Sequence, residues 1–171
     1  MRNALTDPLR HNAWATKQML AFCRGLSPEQ LGATSEGTYG SIIATLQHLV
    51  GAEGRYRSRL AGAKPHWPAD PDETEDIEQL AAMAEDTARF WEELVATDFD
   101  PERVVSWVSS VSGLYTEVQA GVLVAQALNH GNEHRSQIAT ILTTIGVEPP
   151  NLDGWSYAVA TGRFRESGPP S

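Results

Sequence analysis

Residues 117–145 read EVQAGVLVAQALNHGNEHRSQIATILTTI and form the clearest amphipathic stretch of the chain. Selected positions along it alternate four and three residues apart, which is the period of one face of an α-helix. These positions are Leu123, Ala127, His130, His134, Gln137, Ile141 and Thr144. Gly146 and the pair Pro149-Pro150 follow, as is typical after a helix end. The stretch predicts a long helix whose apolar face carries two histidines.

Three earlier segments have the same periodicity. The first helix is predicted to begin at Asp7-Pro8, with Asp7 as its cap, and to end at Gly25. A short capping box is predicted at residues 27–30. The second helix is predicted over residues 41–60 and the third from about residue 72 or 74 to Pro101.

The remaining segments connect these helices or follow them. Residues 62–72 contain three prolines and predict a loop long enough for a crossover. Residues 104–115 alternate in polarity and predict a short extended pair or an irregular segment. In the tail, residues 151–171, aromatic side chains predict partial packing on the helices, whereas residues 168–171 are expected to be flexible.

Four amphipathic helices without a sheet-forming pattern predict an all-α fold, most simply a four-helix bundle. The length of 171 residues fits a single domain, residues 1–171. This size is sufficient for one hydrophobic core.

Charge and composition exclude several functions. The chain has 22 acidic and 13 basic residues and a formal net charge of −9. This average charge would repel the phosphates of a nucleic acid, so we expect no such partner. The longest apolar run is far shorter than the roughly 20 residues of a membrane span. With one cysteine, Cys23, and no apparent signal peptide, we expect a cytoplasmic protein without disulfides.

Three histidines are the candidate metal ligands. His130 and His134 are four residues apart, so on a helix both imidazoles lie on one face and can converge on one ion. His48 lies beside the apolar stripe of the second helix and could supply a third nitrogen. Three imidazoles and water form the open coordination of a catalytic zinc or a similar metal. Spacing alone also fits histidines that are only hydrogen-bonded in the core.

The sequence around each histidine resembles one known family. Residues 41–50, SIIATLQHLV, resemble the second-helix motif of the DinB-like superfamily, the YfiT-type metal-binding bundles. Residues 129–138, NHGNEHRSQI, resemble its fourth-helix motif. Residues 11–15, HNAWA, and residues 149–153, PPNLD, are similar to its first-helix signature and its ending.

The resemblance implies an up-down-down-up four-helix bundle with a long crossover after the second helix. It also implies a site for one divalent metal ion, zinc or nickel, which corresponds here to His48, His130 and His134. Many members are homodimers. Characterised relatives include bacillithiol S-transferases and a mycothiol-dependent maleylpyruvate isomerase. Glu133 and Ser136 stand where other residues are common in the family. Arg135 matches the family's usual Arg, and its side chain could face outward or serve an anionic substrate.

Several other residues were candidates for the site. One of Asn129, Glu133 and Gln137 could hold a ligand imidazole by its second nitrogen, although a solvated edge is the favoured interpretation of Glu133. Asn12 and His11 could line the pocket, whereas His66 is expected on the surface. Cys23 is interpreted as a core residue, and packing roles are predicted for Trp14, Trp91 and Trp155.

The leading hypothesis is a metal-dependent enzyme resembling DinB-family thiol S-transferases and isomerases. In it, the metal ion activates a thiol or water, a low-molecular-weight thiol is the cosubstrate, and a pocket holds a small-molecule substrate. One alternative is a non-catalytic, metal-containing ligand-binding protein of a stress response, distinguished by ligand-dependent melting shifts without turnover. Another is a metal-dependent hydrolase, distinguished by turnover without thiol. The sequence does not identify the substrate, the thiol, the metal or the catalytic residues.

Overall fold

The computed structural model describes residues 4–109 and 112–167. The fold is mostly helical, as predicted, and a two-stranded antiparallel sheet is added to it. The α-helices and strands in chain order are α1 (Thr6–Cys23), α2 (Pro28–Leu31), α3 (Ile42–Ala61), α4 (Ile77–Ala96), β1 (Val104–Val108), β2 (Tyr115–Gln119), α5 (Ala120–Thr144) and α6 (Gly154–Ala160). A 3-10 helix, Pro71–Glu73, lies in the connection from α3 to α4.

The four long helices pack side by side. Helix α1 lies against α4 and α5, and α3 lies against the same two helices. Helices α1 and α4 run antiparallel, because ion pairs join them in opposite order along their lengths: Arg10–Glu92, Lys17–Glu85 and Arg24–Glu78. Helices α3 and α5 are also antiparallel, since His48 contacts His134 whereas Tyr56 lies near Gln126.

The core consists of two apolar clusters at successive heights of the helices. One contains Met19 of α1, Leu46 of α3 and Ile141 of α5. The other contains Leu9 of α1 and Leu123 of α5, together with further α3 and α4 residues. Between the two clusters, helices α1, α3 and α5 carry buried polar side chains: Asn12, Thr16, Glu53, His134 and Arg135. We call these residues, with His48 and His130, the polar layer.

The long connection from α3 to α4 is docked on both helices. The Trp67 indole Nε1 donates to Asp86 Oδ2 at 3.0 Å, and the Gln47 side chain donates to the Thr74 carbonyl at 2.9 Å. Arg57 of α3 also pairs with Asp86 of α4 at 2.6 Å. The loop therefore brings α4 alongside α3 in the same direction, with residue 47 near 74 and residue 57 near 86.

The sheet changes one predicted boundary. Helix α5 begins at Ala120 and not at residue 117, because residues 115–119 pair with residues 104–108. The predicted extended pair is thus confirmed, and it takes three residues from the predicted helix. The side chain of Val105 is buried in the apolar cluster near the start of α5. This contact anchors the hairpin on the helices.

Other helix ends also differ from prediction. Asp7 is not the cap of α1: Leu5 occupies that position, and Asp7 pairs with Arg163. Helix α4 begins at Ile77 behind the cap Asp76 and ends at Ala96, before Pro101. The predicted α4 was therefore too long at both ends, because the helical spacing of apolar residues continues beyond the residues that form the helix.

The tail folds back in part. Its helix α6 is capped by Asp153, which accepts from the Ser156 amide at 2.7 Å, and Tyr157 is buried against α1 residues. Residues 168–171, expected to be flexible, lie outside the described residues. Within the described ranges, no helix is both long and apolar enough to cross a membrane.

Candidate metal centre

Two antiparallel helices bring the three predicted histidines together. His48 lies on α3, and His130 and His134 lie one turn apart on α5. One nitrogen from each ring lies within 4.8 Å of the other two. The predicted convergence of the three imidazoles is therefore confirmed.

The distances fit a cation held between the rings. His130 Nε2 lies 3.1 Å from His48 Nε2 and 3.2 Å from His134 Nε2. Tetrahedral zinc with Zn–N bonds of about 2.0–2.1 Å needs N···N separations of about 3.3–3.4 Å. These two separations are thus within a few tenths of an ångström of the tetrahedral value, and the third pair, His48 and His134, offers nitrogens within 4.8 Å of each other.

Hydrogen bonds alone satisfy this cluster poorly. The Gln137 carbonyl oxygen Oε1 accepts from His134 Nδ1 at 2.9 Å, which leaves His134 Nε2 with a lone pair when the ring is neutral. A single proton on His130 Nε2 cannot make two well-aligned bonds to both neighbours. In addition, His130 Nδ1 is buried and has no hydrogen-bond partner in the described part of the chain. One cation would use all three converging lone pairs.

Burial and repulsion from neighbouring charges favour the neutral forms of His48 and His130. Burial, and to a smaller extent the charges of His134, His48 and Arg55, together lower the pKa of His130 to about 4. Burial also lowers the pKa of His48, with smaller contributions from His134 and Arg55. Neutral imidazoles are the form that binds metal ions. The ring nitrogens of these two histidines are thus available to a cation near neutral pH.

Two tyrosines border the histidines. The Tyr39 ring stacks on His48 with centroids 4.2 Å apart, and its centroid lies 5.4 Å from that of His134 in an edge-on arrangement. The Tyr56 ring meets His130 edge-on at 5.7 Å. The Tyr39 amide also donates to Gln137 Oε1 at 3.2 Å, so one amide oxygen fixes both His134 and the loop before α3.

A buried polar network that the sequence interpretation missed supports the site. Glu53 of α3 is only 2% exposed and accepts from Asn12 Nδ2 at 2.9 Å and from the Thr16 hydroxyl at 3.2 Å. Thr16 Oγ1 in turn accepts from Arg135 Nη1 at 2.9 Å. Burial raises the pKa of Glu53, and the charge of Arg135 opposes that shift. The network links α1, α3 and α5 beside the histidines.

The network corrects two expectations. Arg135 is 5% exposed, so it neither faces outward nor lies open to a substrate. Asn12 is directed to Glu53 and does not serve as a pocket wall. A signal for Glu53 existed in the sequence: it follows Leu46 and Leu49 at the apolar spacing of α3, where a carboxylate must have a buried partner.

The other candidates lie apart from the cluster. Among the three residues proposed to hold an imidazole, Gln137 does so, whereas Glu133 and Asn129 are exposed. His11 donates to the Leu152 carbonyl at 2.7 Å and packs on the tail. His66 is exposed and Cys23 is buried in the core, both as predicted.

The tryptophans have different outcomes. Trp91 is buried, and Trp14 packs against Tyr157. Trp155 is 70% exposed, so the packing role predicted for it is wrong; its ring contacts Phe164 at the surface. A groove of about 680 Å³ borders Trp14, Trp91 and Tyr157, and none of the three histidines lines it.

Comparison with known proteins identifies the family of the chain. The comparison with curated proteins finds no match. A family model described as the DinB family matches residues 1–167, which include all three histidines and the helices that carry them. The chain therefore belongs to the DinB family.

Proposed function

We propose that the protein is a metal-dependent enzyme that acts on a small molecule with the help of a low-molecular-weight thiol, as a thiol S-transferase or isomerase. The observation that carries the proposal is the convergence of His48, His130 and His134. Three imidazoles leave a coordination position open for a reactant, as in catalytic sites and unlike closed structural sites. Family membership supports the thiol-dependent class.

The protein residues have distinct roles in this proposal. The three histidines hold the ion, and Gln137 orients His134 through its Nδ1–H. Tyr39 and Tyr56 provide aromatic walls beside the ligand rings. A divalent cation in this position supplies Lewis acidity, which lowers the pKa of a coordinating thiol or water.

The donor set favours zinc or nickel. Imidazole nitrogens suit borderline metals such as these, whereas magnesium and calcium prefer oxygen ligands. The lowered pKa values of His48 and His130 favour the neutral form that such a metal requires.

We further propose that the four long helices form the up-down-down-up bundle of the family. The antiparallel pairs α1–α4 and α3–α5 and the long docked loop after α3 support this order. The homodimer and the cytoplasmic location stay predictions. Light scattering during gel filtration tests the dimer.

Metal analysis combined with turnover tests the function. Protein purified without a histidine tag is expected to contain about one zinc or nickel ion per chain and to convert an electrophile only with thiol present. His130→Ala should lose both the metal and turnover, whereas the surface variant His66→Ala should retain both. Metal only at trace level, or equal turnover in His130→Ala, would defeat the proposal. Turnover without thiol would assign hydrolysis instead.

A further inference from the structure

Arg55 lies on the same side of α3 as His48, two helical turns later. Its side chain turns back towards the start of the helix, as helical side chains do. Arg55 Nη1 lies only 3.1 Å from the point that a Cβ atom on residue 51 would occupy. Because Gly51 has no side chain, the guanidinium can lie over it, about one turn from His48.

The guanidinium of Arg55 makes few polar contacts with the described part of the protein. Its ion pair with Asp72 is long at 3.7 Å, and the Arg55 side chain is 46% exposed. Within residues 4–109 and 112–167 it donates no hydrogen bond. Nearby arginines of α3 differ: Arg57 pairs with Asp86 at 2.6 Å, and Arg59 stacks on Trp107 at 4.3 Å. Arg55 therefore retains donors for a ligand.

The place of Arg55 on α3 brings its charge near the histidine cluster. Its guanidinium lies over Gly51, about one turn from His48, and the next residue along the helix, Tyr56, has its ring edge-on to His130 with centroids 5.7 Å apart. The guanidinium can therefore attract an anionic group of a molecule placed beside these rings.

We propose that Arg55 binds a carboxylate of the small molecule that reacts at the three histidines, so that the thiol or its electrophilic partner belongs to the carboxylate-bearing class. A guanidinium matches a carboxylate with two parallel N–H···O bonds. The loose contact with Asp72 is easily exchanged for such a ligand. This assignment rests on the proposed function, because it needs a reactant at the metal centre.

Cobalt-substituted protein provides the test without any knowledge of the natural substrate. The probes are mercaptoacetate and its neutral amide, mercaptoacetamide, and the readout is the sulfur-to-cobalt charge-transfer absorption. We expect the wild-type protein to bind mercaptoacetate about tenfold more tightly, since a charge-assisted hydrogen bond contributes at least this much. Added salt should reduce the preference.

Substitutions then assign the preference to Arg55. Arg55→Gln should still bind cobalt but should bind both thiols equally, and Arg55→Lys should keep part of the preference. The matched control is Arg24→Gln, which removes an exposed, ion-paired arginine at the far end of α1. This control should behave as the wild type.

The outcomes separate the two proposals. If cobalt does not bind, or neither thiol gives the absorption, the proposed function fails and the role of Arg55 fails with it. If both thiols bind the wild type equally, only the role of Arg55 is overturned. A preference that persists in Arg55→Gln also overturns it, because the carboxylate would then contact another group.

Discussion

At the residue scale, the side-chain amide of Gln137 links a ligand histidine to the loop before α3. Its oxygen accepts from His134 Nδ1 at 2.9 Å and from the Tyr39 amide at 3.2 Å. The first bond fixes which nitrogen of His134 carries the proton, and the second fixes the ring that stacks on His48. One polar side chain therefore affects two ligand rings.

Replacing Gln137 should weaken metal binding without unfolding the protein. In Gln137→Leu, His134 can rotate and lose its tautomer preference, so we expect metal affinity to fall by about 10–100-fold. Competition with a chromophoric chelator measures the affinity. Gln137→Glu should retain most of it because the carboxylate still accepts, and Ser136→Ala provides a neighbouring surface control. Unchanged affinity in Gln137→Leu would contradict the orienting role.

His130 should make the stability of the metal-free protein depend on pH. Its pKa is lowered to about 4 in the folded state, whereas an unperturbed histidine has a value of about 6.5. The unfolded chain therefore binds more protons between these values, and stability falls as the pH decreases from about 6.5 towards about 4.

Melting temperatures of chelator-treated protein across this pH range measure the effect. Comparison with His130→Asn isolates it from carboxylates that titrate in the same range. The variant should lose less stability on acidification than the wild type, and His66→Asn should follow the wild type. Parallel curves for wild type and His130→Asn would contradict the prediction.

At the element scale, the close approach of α1 to α5 is what connects the polar network with the histidines. Gly131 lies between His130 and His134, and the buried Asn12 of α1 packs directly on it. Arg135 Nη1 also lies 2.8 Å from the position of a Cβ at residue 131. Only glycine leaves room for both groups.

Gly131→Ala should therefore destabilise the fold although alanine favours helices. The methyl group would clash with Asn12, which is fixed by Glu53, and overpacking of this kind costs about 1–3 kcal/mol. The gain in helix propensity, up to about 1 kcal/mol, is smaller. Urea denaturation measures the difference. Gly154→Ala, where a Cβ meets nothing within 4 Å, should be neutral or stabilising; equal stability of Gly131→Ala and wild type would contradict the prediction.

Element boundaries show where sequence patterns stop being informative. The capping box at residues 27–30 was predicted and is present, with Ser27 and Gln30 each accepting from the amide of the other. Asp7 was also predicted as a cap, yet it lies inside the first turn of α1 and its carboxylate pairs with Arg163, far along the chain. Local chemistry predicts a cap only when no distant partner competes for the side chain.

At the scale of the whole molecule, two apolar clusters lie on either side of the polar layer. Residues of these clusters reach solvent only when the fold opens. Cys23 belongs to one cluster, and burial raises the pKa of its thiol to about 12. The thiol is therefore protonated and inaccessible in the folded state, and it reacts only when the core opens.

Alkylation of Cys23 should report this opening. We expect slow labelling at neutral pH, rapid labelling in denaturant, and protection by metal ions. Because the ion binds the folded state, free metal a hundredfold above its dissociation constant stabilises it by about 2.7 kcal/mol, which lowers the open population about 100-fold. His130→Ala should lose the protection. Rapid labelling of the native protein, or no effect of metal on the wild type, would contradict the prediction.

The sequence by itself determined the helical elements and identified the three histidines. The fourth-helix stretch carries both the helical period and the His130–His134 spacing, because residues four apart share one face whatever surrounds them. The motif around His48 then added the third ring through the family resemblance. All of this information is local, so it can be read along the chain.

Only the tertiary structure decided which distant residues meet. Glu53 and Arg135 lie 82 positions apart and are joined through Thr16 of a third helix. The approach of Tyr39 to Gln137, and the position of Arg55 over Gly51 near the histidines, likewise depend on packing between elements. The physical reason is that a buried polar group must find a partner in three dimensions, and sequence spacing shows the need for that partner without naming it.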